Sequence, residues 1–323
     1  MFNFLSSNIQ RACFRIAAMT SNGGVASKTE GGSAGIALGA LFGGAAGIAF
    51  APIFVRLSEV GPTATAFWRL ALALPVLWVW MRIEGRGLSA PGRPSSSTDY
   101  RRLVVAGLFF AADLAVWHWS ITLTSVANAT LLANFAPIFV TLGAWLWFGQ
   151  RFSRTFILGM AAALGGAMIL IGTSFHLSLR HLRGDLLGLV TAVFYAGYIL
   201  AVKELRDDFS SATILMWSGV ASAVALLPLS LLSGESLLAF TAEGWAVLIG
   251  LALISQVGGQ GLITYALAHL PAAFSSVGLL LQPAIAALLA WVILFEPLGV
   301  WQALGGVIVL GGITVARRGS RSG

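Results

Sequence analysis

The chain has 323 residues, of which 58% are hydrophobic and only 10% are charged, and its mean hydropathy is +0.88. A soluble domain carries about 25% charged residues, so this composition excludes a water-soluble globular protein and requires contact with lipid. The net charge of +7 does not indicate a nucleic-acid binder, because the bases lie in short loops, and the single Cys13 excludes a disulfide framework or a cysteine-based metal site.

Ten apolar blocks follow one another along the chain. They are about 20 residues long on average, the length that a helix needs to cross a hydrocarbon core of about 30 Å. The blocks of the first half are residues 34–55, 62–81, 103–123, 125–148 and 156–171. Those of the second half are residues 186–202, 212–232, 245–265, 272–295 and 298–315. The predicted fold class is therefore an all-α membrane protein with ten transmembrane helices.

The second half of the chain repeats the first at an offset of 146 residues, the distance from Pro137 to Pro283. At the same offset Gly159 matches Gly305, and the pair Gly165 and Gly166 matches Gly311 and Gly312. Each half has five spans, an odd number, so the second half must enter the membrane in the opposite direction. Two inverted five-helix repeats are typical of secondary transporters, which bind substrate near the bilayer midplane between the repeats.

The basic residues predict the orientation of these spans. With the N-terminus in the cytoplasm, 15 of the 19 lysines and arginines face the cytoplasm, only Arg56, Arg180 and Arg183 face outward, and Arg69 lies within a span. This distribution follows the positive-inside rule and places both termini in the cytoplasm. We interpret residues 1–33 as a disordered cytoplasmic extension, followed by one repeat over residues 34–172 and another over residues 184–318.

Three segments carry a family resemblance: AFWRLALALP (66–75), FFAADLAVWHWSITLTSVANATLLANFAPIFV (109–140) and FEPLGVWQALGGVIVLGG (295–312). They resemble the EamA-type transporters of the drug/metabolite transporter superfamily over nearly all of residues 34–318. The resemblance implies ten helices, cytoplasmic termini and a central cavity between the repeats, with substrates that range from amino acids to drugs and sugars. One departure is Gln150, where relatives often carry a glutamate that the second repeat retains as Glu296.

Asp113 lies near the predicted midplane of the third span. A charged group there costs roughly 2.5–3.5 kcal/mol on insertion scales, so it should face a cavity or a partner. Its repeat equivalent is Gly259, and Gln256 and Gln260 on either side share one helix face. We predict a substrate site formed by Asp113, Gln256 and Gln260, with Asp113 also the candidate for proton coupling. The alternative is a structural carboxylate.

Other polar and aromatic residues extend this predicted site. Trp117 follows Asp113 by one turn and offers an aromatic wall for a cationic group. Asn134 and Gln282 adjoin the matching prolines and either satisfy a freed carbonyl or line the cavity. Tyr198 is a further candidate, with bundle packing as its alternative.

Arg69 and three glycines are predicted to have structural roles. We interpret Arg69 as a snorkelling or ion-pairing residue, with Asp113 as its partner in the second case. Gly258, Gly259 and Gly261 indicate close helix packing, and local unwinding for ligand contact is the alternative.

The predicted function is a multi-pass secondary transporter of a bacterial inner membrane that exports a small metabolite, such as an amino acid, by alternating access. The alternatives are an intramembrane enzyme and a non-transporting membrane subunit, but the sequence has no HExxH, GxSxG or phosphate-loop motif and no sensing domain. No catalytic residue, metal or cofactor is expected. The expected partners are a small-molecule substrate and the lipid bilayer, a homodimer is a candidate assembly, and nucleic acid is not expected.

Overall fold

The structure, a computed structural model, describes residues 30–85, 92–124, 126–172, 181–295 and 298–321. The extension before residue 30 and Glu296 lie outside these ranges. Within them every regular element is helical, and ten helices are long and apolar enough to cross a membrane. The predicted all-α fold with ten spans is confirmed.

The ten spans are numbered one to ten in chain order. Spans one, two, four and nine each consist of two helices, and span eight consists of three helical segments. In the first half the helices are Glu30–Ala49, Ala51–Leu57, Pro62–Ala71, Leu74–Glu84, Ser97–Leu123, Val126–Ala133, Ala136–Phe148 and Arg154–Gly172. In the second half they are Leu182–Leu205, Ser211–Leu232, Ala242–Gly250, Leu251–Gln260, Gly261–His269, Ala272–Gly278, Leu281–Leu294 and Val300–Arg321.

Span three begins six residues before the apolar block that predicted it. The reason is a capping box, in which the Asp99 N–H donates to Ser96 Oγ and the Ser96 N–H donates to Asp99 Oδ2, both at 3.1 Å. These bonds satisfy amide groups that the first turn leaves without partners. The helix therefore extends beyond its apolar part toward the aqueous face. Asp113 remains ten residues from the other end, Leu123, or about 15 Å along the axis.

Spans four and nine are interrupted at equivalent places in the two repeats. Span four breaks between Ala133 and Ala136, just before Pro137, and span nine breaks between Gly278 and Leu281, just before Pro283. A proline inside a helix has no N–H to donate and collides with the preceding turn. Backbone breaks inside a membrane are tolerated only where they are buried in protein or line a cavity. The two breaks therefore mark the interior of the bundle.

The middle of span eight is a π-helix over Leu251–Gln260. Its glycines serve close packing, as predicted, because a Cβ on Gly47 of span one would stand 2.9 Å from the Cα of Gly259. Ser255 Oγ also donates to the Gly47 carbonyl at 2.9 Å. The backbone departs from α-helical geometry over this segment but stays helical. π-Helical turns are rare and are found mostly at functional sites.

Spans five and ten pack backbone to backbone along a seam of glycines. A Cβ on Gly159 would lie 2.2 Å from the Ala316 nitrogen, and one on Gly312 would lie 2.4 Å from the Ala163 nitrogen. Further along, a Cβ on Gly166 would lie 2.6 Å from the Val309 nitrogen. The residue number rises along span five as it falls along span ten, so the two helices are antiparallel. Since Gly159 and Gly166 are the repeat equivalents of Gly305 and Gly312, the seam lies on the pseudo-two-fold axis.

Two loops on the predicted outer face follow spans one and seven. Each supplies a glutamate that caps the start of the helix after the other loop. Glu59 accepts hydrogen bonds from the Phe240 and Thr241 N–H groups, at 2.8 and 3.1 Å, and from the Thr241 hydroxyl. In return Glu235 accepts a 3.0 Å bond from the Ala64 N–H in the first turn of span two. A carboxylate at a helix N-terminus satisfies free amides and opposes the helix dipole favourably. These reciprocal caps tie the outer ends of the two repeats together.

The Glu59 cap predicts an acid-sensitive contribution to stability. Bonds from the Thr241 hydroxyl and the two N–H groups hold the pKa of Glu59 below its ordinary value of 4.5. A carboxylate with a lowered folded-state pKa stabilises the fold above about pH 4.5, and this stabilisation is lost as the pH falls through the folded-state pKa. Glu59→Gln should therefore lower the midpoint of thermal unfolding at pH 7 and should have a smaller effect near pH 3. The exposed Glu243→Gln serves as the control, and equal effects of Glu59→Gln at both pH values would contradict the prediction.

Candidate functional site

Two opposite charges lie together inside the bundle. Arg69 of span two donates from Nε to Gln256 Oε1 of span eight at 2.9 Å, and Gln256 is only 1% exposed. Asp113 of span three, which is half-buried, lies near the same guanidinium without forming a direct ion pair with it. The guanidinium carbon lies 5.7 Å from the ring centroid of Phe110, within cation–π range. An arginine that faces a carboxylate and an amide in this way points into the bundle rather than toward the membrane surface.

Aromatic rings of span six form a wall beside these charges. Tyr198 stacks on Phe110 with ring centroids 4.7 Å apart, and Tyr195 stacks on Tyr198 at 6.4 Å. Both tyrosines lie near Arg69 and Asp113. The Tyr198 hydroxyl is buried and lies beside the side chain of Thr264.

The second part of the site is a cavity between the breaks of spans four and nine. It holds about 20 Å³, enough for one water-sized group. Its lining includes Asn134, Pro137, Tyr195, Ser276 and Gln282. The Asn134 amide donates to the Thr130 carbonyl at 2.8 Å, which satisfies an acceptor near the break. The Gln282 amide lies beside Tyr195, and its Nε2 is buried without a hydrogen-bond partner. Tyr195 therefore joins the cavity to the charged pair.

The remaining predicted residues lie around this centre. Gln260 is 2% exposed on the π-helix, but among the described side chains it makes no hydrogen bond to Arg69 or Asp113. Trp117 is half-buried one turn from Asp113. Phe110 and Ser276 were not predicted as site residues. Phe110 carried a usable signal, since it precedes Asp113 by three residues and so shares its helix face.

A lysine hydrogen bond joins spans six and eight near one end of the site. Lys203 of span six donates from Nζ to the Leu267 carbonyl of span eight at 2.8 Å. This carbonyl belongs to the last turn of the helix Gly261–His269, where the dipole is negative and favours a cation. The repeat equivalents are Leu57 and Ile121, whose side chains form no hydrogen bonds. The two repeats therefore differ at this position. The lysine contact lies at the end of the site nearer the chain termini, and its repeat equivalent at the opposite end has no lysine.

Comparison with known proteins agrees with this architecture. The EamA-like transporter family matches residues 34–172 and 182–318. An uncharacterised transporter of Archaeoglobus fulgidus is 26% identical over 82% of this chain and 91% of its own length. A probable terminal-alkyne amino-acid exporter of Streptantibioticus cattleyicolor is 27% identical over 84% and 89%. The pseudopaline exporter of Pseudomonas aeruginosa is 27% identical over 63% and 67%.

A solved crystal structure also shares the fold, with a TM-score of 0.72 and 18% identity over 91% of this chain and 99% of the other. The ten spans in two repeats and the charged interior site define a multi-pass membrane transporter. The chain belongs to the EamA-like transporter family.

Proposed function

We propose that this protein is a secondary carrier that exports small zwitterionic metabolites, amino acids above all, across a bacterial inner membrane. The observation that carries the proposal is the juxtaposition of Arg69 and Asp113 inside the bundle. Charged side chains in membrane spans are costly and mark substrate or ion pathways. One cation and one anion together match the carboxylate and ammonium of an amino acid. Two of the related proteins are exporters, one of them for an amino acid, which supports the same class.

Each part of the site has a role in this proposal. The Arg69 guanidinium, planar and always charged, binds the substrate carboxylate and exchanges its bond to Gln256 for the ligand. Asp113 binds the ammonium group, with the rings of Phe110 and Trp117 nearby to favour a cation. The substrate side chain extends along Tyr195 and Tyr198 toward Asn134 and Gln282. Gln260 supports the π-helical wall of the site.

Alternating access follows from the repeats. The two inverted halves form two pathways to one central site, and in this proposal the contact of Lys203 with span eight closes the cytoplasmic pathway. Loss of that contact opens the site to the cytoplasm, where the substrate enters. This orientation, with both termini cytoplasmic, is supported by the positive-inside distribution of the bases. Asp113 couples transport to protons if it binds a proton on the return step in place of the ammonium group.

The coupling is tested with Asp113→Asn in proteoliposomes. The parent should accumulate a labelled amino acid when a pH gradient is applied, and the variant should lose this accumulation because an amide cannot exchange a proton. Because Asp113 also binds the ammonium group in this proposal, downhill exchange should persist only at higher substrate concentration, and tryptophan fluorescence during thermal unfolding controls for folding. If the variant accumulates substrate against its gradient as well as the parent, Asp113 is structural and any coupling lies elsewhere.

A further inference from the structure

A groove of about 130 Å³ lies between spans three and six, remote from the central site. Its lining comprises Arg101, Arg102, Val105, Ala201, Glu204 and Leu205. Span three begins at Ser97 and span six ends at Leu205, so the charged residues lie at the level where lipid headgroups meet the protein. Val105 is one turn deeper than Arg101, on the same face of the helix. The groove therefore has a charged rim and an apolar interior.

The apolar part of the groove opens sideways toward the lipid. Val104, Val105 and Leu108 of span three are all exposed on the surface that crosses the membrane. Across the groove, the small side chain of Ala201 leaves space that a larger residue would fill. An acyl chain running down this surface would contact carbon atoms along its length, as it does in the bulk membrane, while its headgroup remains at the rim.

The rim carries a carboxylate, Glu204, as well as the guanidinium groups of Arg101 and Arg102. Arg102 is held between two carboxylates, with Nη1 2.7 Å from Asp208 Oδ2 and Nη2 3.3 Å from Glu204 Oε1. Arg101 is exposed and has no ion pair or hydrogen bond with the residues that the structure describes. Glu204 is 57% exposed, so its carboxylate can accept further hydrogen bonds. Among the charged lining residues Arg102 is already paired, with Asp208 beside the groove and with Glu204, so Arg101 and the exposed Glu204 are the groups still open to a ligand.

We infer that this groove binds a phospholipid whose headgroup carries a phosphate and a primary ammonium, with the phosphate on Arg101 and the ammonium on Glu204. An arginine is a strong phosphate ligand, and a primary ammonium can donate hydrogen bonds to a carboxylate, which a quaternary ammonium cannot. The exposed carboxylate of Glu204 at the rim repels a purely anionic headgroup and attracts an ammonium group. The bound lipid joins spans three and six at the membrane surface.

The test is native mass spectrometry of the full-length protein in detergent with equimolar phosphatidylethanolamine and phosphatidylcholine of identical acyl chains. The parent should retain phosphatidylethanolamine in roughly fivefold excess. Glu204→Gln should bring the ratio close to one, because it removes the ammonium partner. Arg101→Ala should lower the amounts of both lipids, because both carry the phosphate. The exposed Arg151→Ala, outside the groove, is the matched control and should change neither.

A second variant tests the location without altering charge. Ala201→Phe should fill the apolar part of the groove and reduce retention of both lipids. Equal retention of the two lipids by the parent, displacement of phosphatidylethanolamine by equimolar phosphatidylglycerol, or unchanged retention by Ala201→Phe would each overturn the inference.

Discussion

Arg69→Met is expected to lower the apparent affinity for substrate by about 100-fold in proteoliposome exchange. A hydrogen bond to a charged group contributes about 1.5–3 kcal/mol, and each 1.4 kcal/mol corresponds to a tenfold change in affinity. Methionine retains the length and apolar character of the stem but has no donor for a carboxylate.

Arg69→Lys separates charge from geometry in the same experiment. Lysine keeps the positive charge but cannot present the planar fork of a guanidinium, so its loss of affinity should be intermediate, about tenfold. Gln256→Leu removes the amide that Arg69 contacts but leaves both charges in place, and should have a smaller effect than Arg69→Met. Tryptophan fluorescence during thermal unfolding shows whether each variant is folded. A folded Arg69→Met protein with the parent's affinity would contradict the assigned role.

Gly312→Leu is expected to destabilise the folded protein by about 3 kcal/mol or more, at the upper end of the range for overpacking. The Cβ would lie 2.4 Å from the nitrogen and 2.7 Å from the Cα of Ala163, and backbone atoms cannot move aside as a flexible side chain can. Spans five and ten would have to separate, with loss of the close contacts on which helix association in lipid depends. The measurement is the thermal midpoint in detergent, together with the yield of monodisperse protein.

Gly311→Leu is the matched control for this prediction. Gly311 is adjacent in sequence and exposed, and a Cβ there would meet no atom within 4 Å. The substitution should therefore be tolerated, and leucine favours both the helix and the lipid. If the two variants had the same midpoint, the close packing of spans five and ten would not be a major source of stability.

Much of the architecture could be predicted from the sequence because it depends on composition and spacing. Lipid imposes a fixed length on every span, so apolar blocks identify the ten helices directly. The repeat offset matched Gly159 with Gly305 and Gly166 with Gly312. All four glycines lie on one seam in the structure, where Gly159 is opposite Gly312 and Gly166 is opposite Gly305. The prolines of spans four and nine likewise indicated the breaks, because their effect on a helix is local.

The contacts within the site were less predictable because they join distant parts of the chain. Arg69 and Gln256 are 187 residues apart, and the sequence does not show which face of span two points toward span eight. The π-helix of span eight has no signal in the local sequence. It lies where Gly259 closely approaches Gly47 of span one, and this contact joins distant parts of the chain. The exchanged caps of Glu59 and Glu235 depend in the same way on how the loops meet.

The most direct measurement is competition in proteoliposome counterflow between an amino acid, the amine formed by its decarboxylation and the acid formed by its deamination. A panel of labelled amino acids first identifies one that exchanges. If Arg69 and Asp113 bind the two charged groups together, the amine and the acid should each compete at least about tenfold more weakly than the amino acid, because each lacks one charged contact. Absence of exchange for every amino acid, or an amine that competes as well as its amino acid, would contradict a zwitterion-binding site.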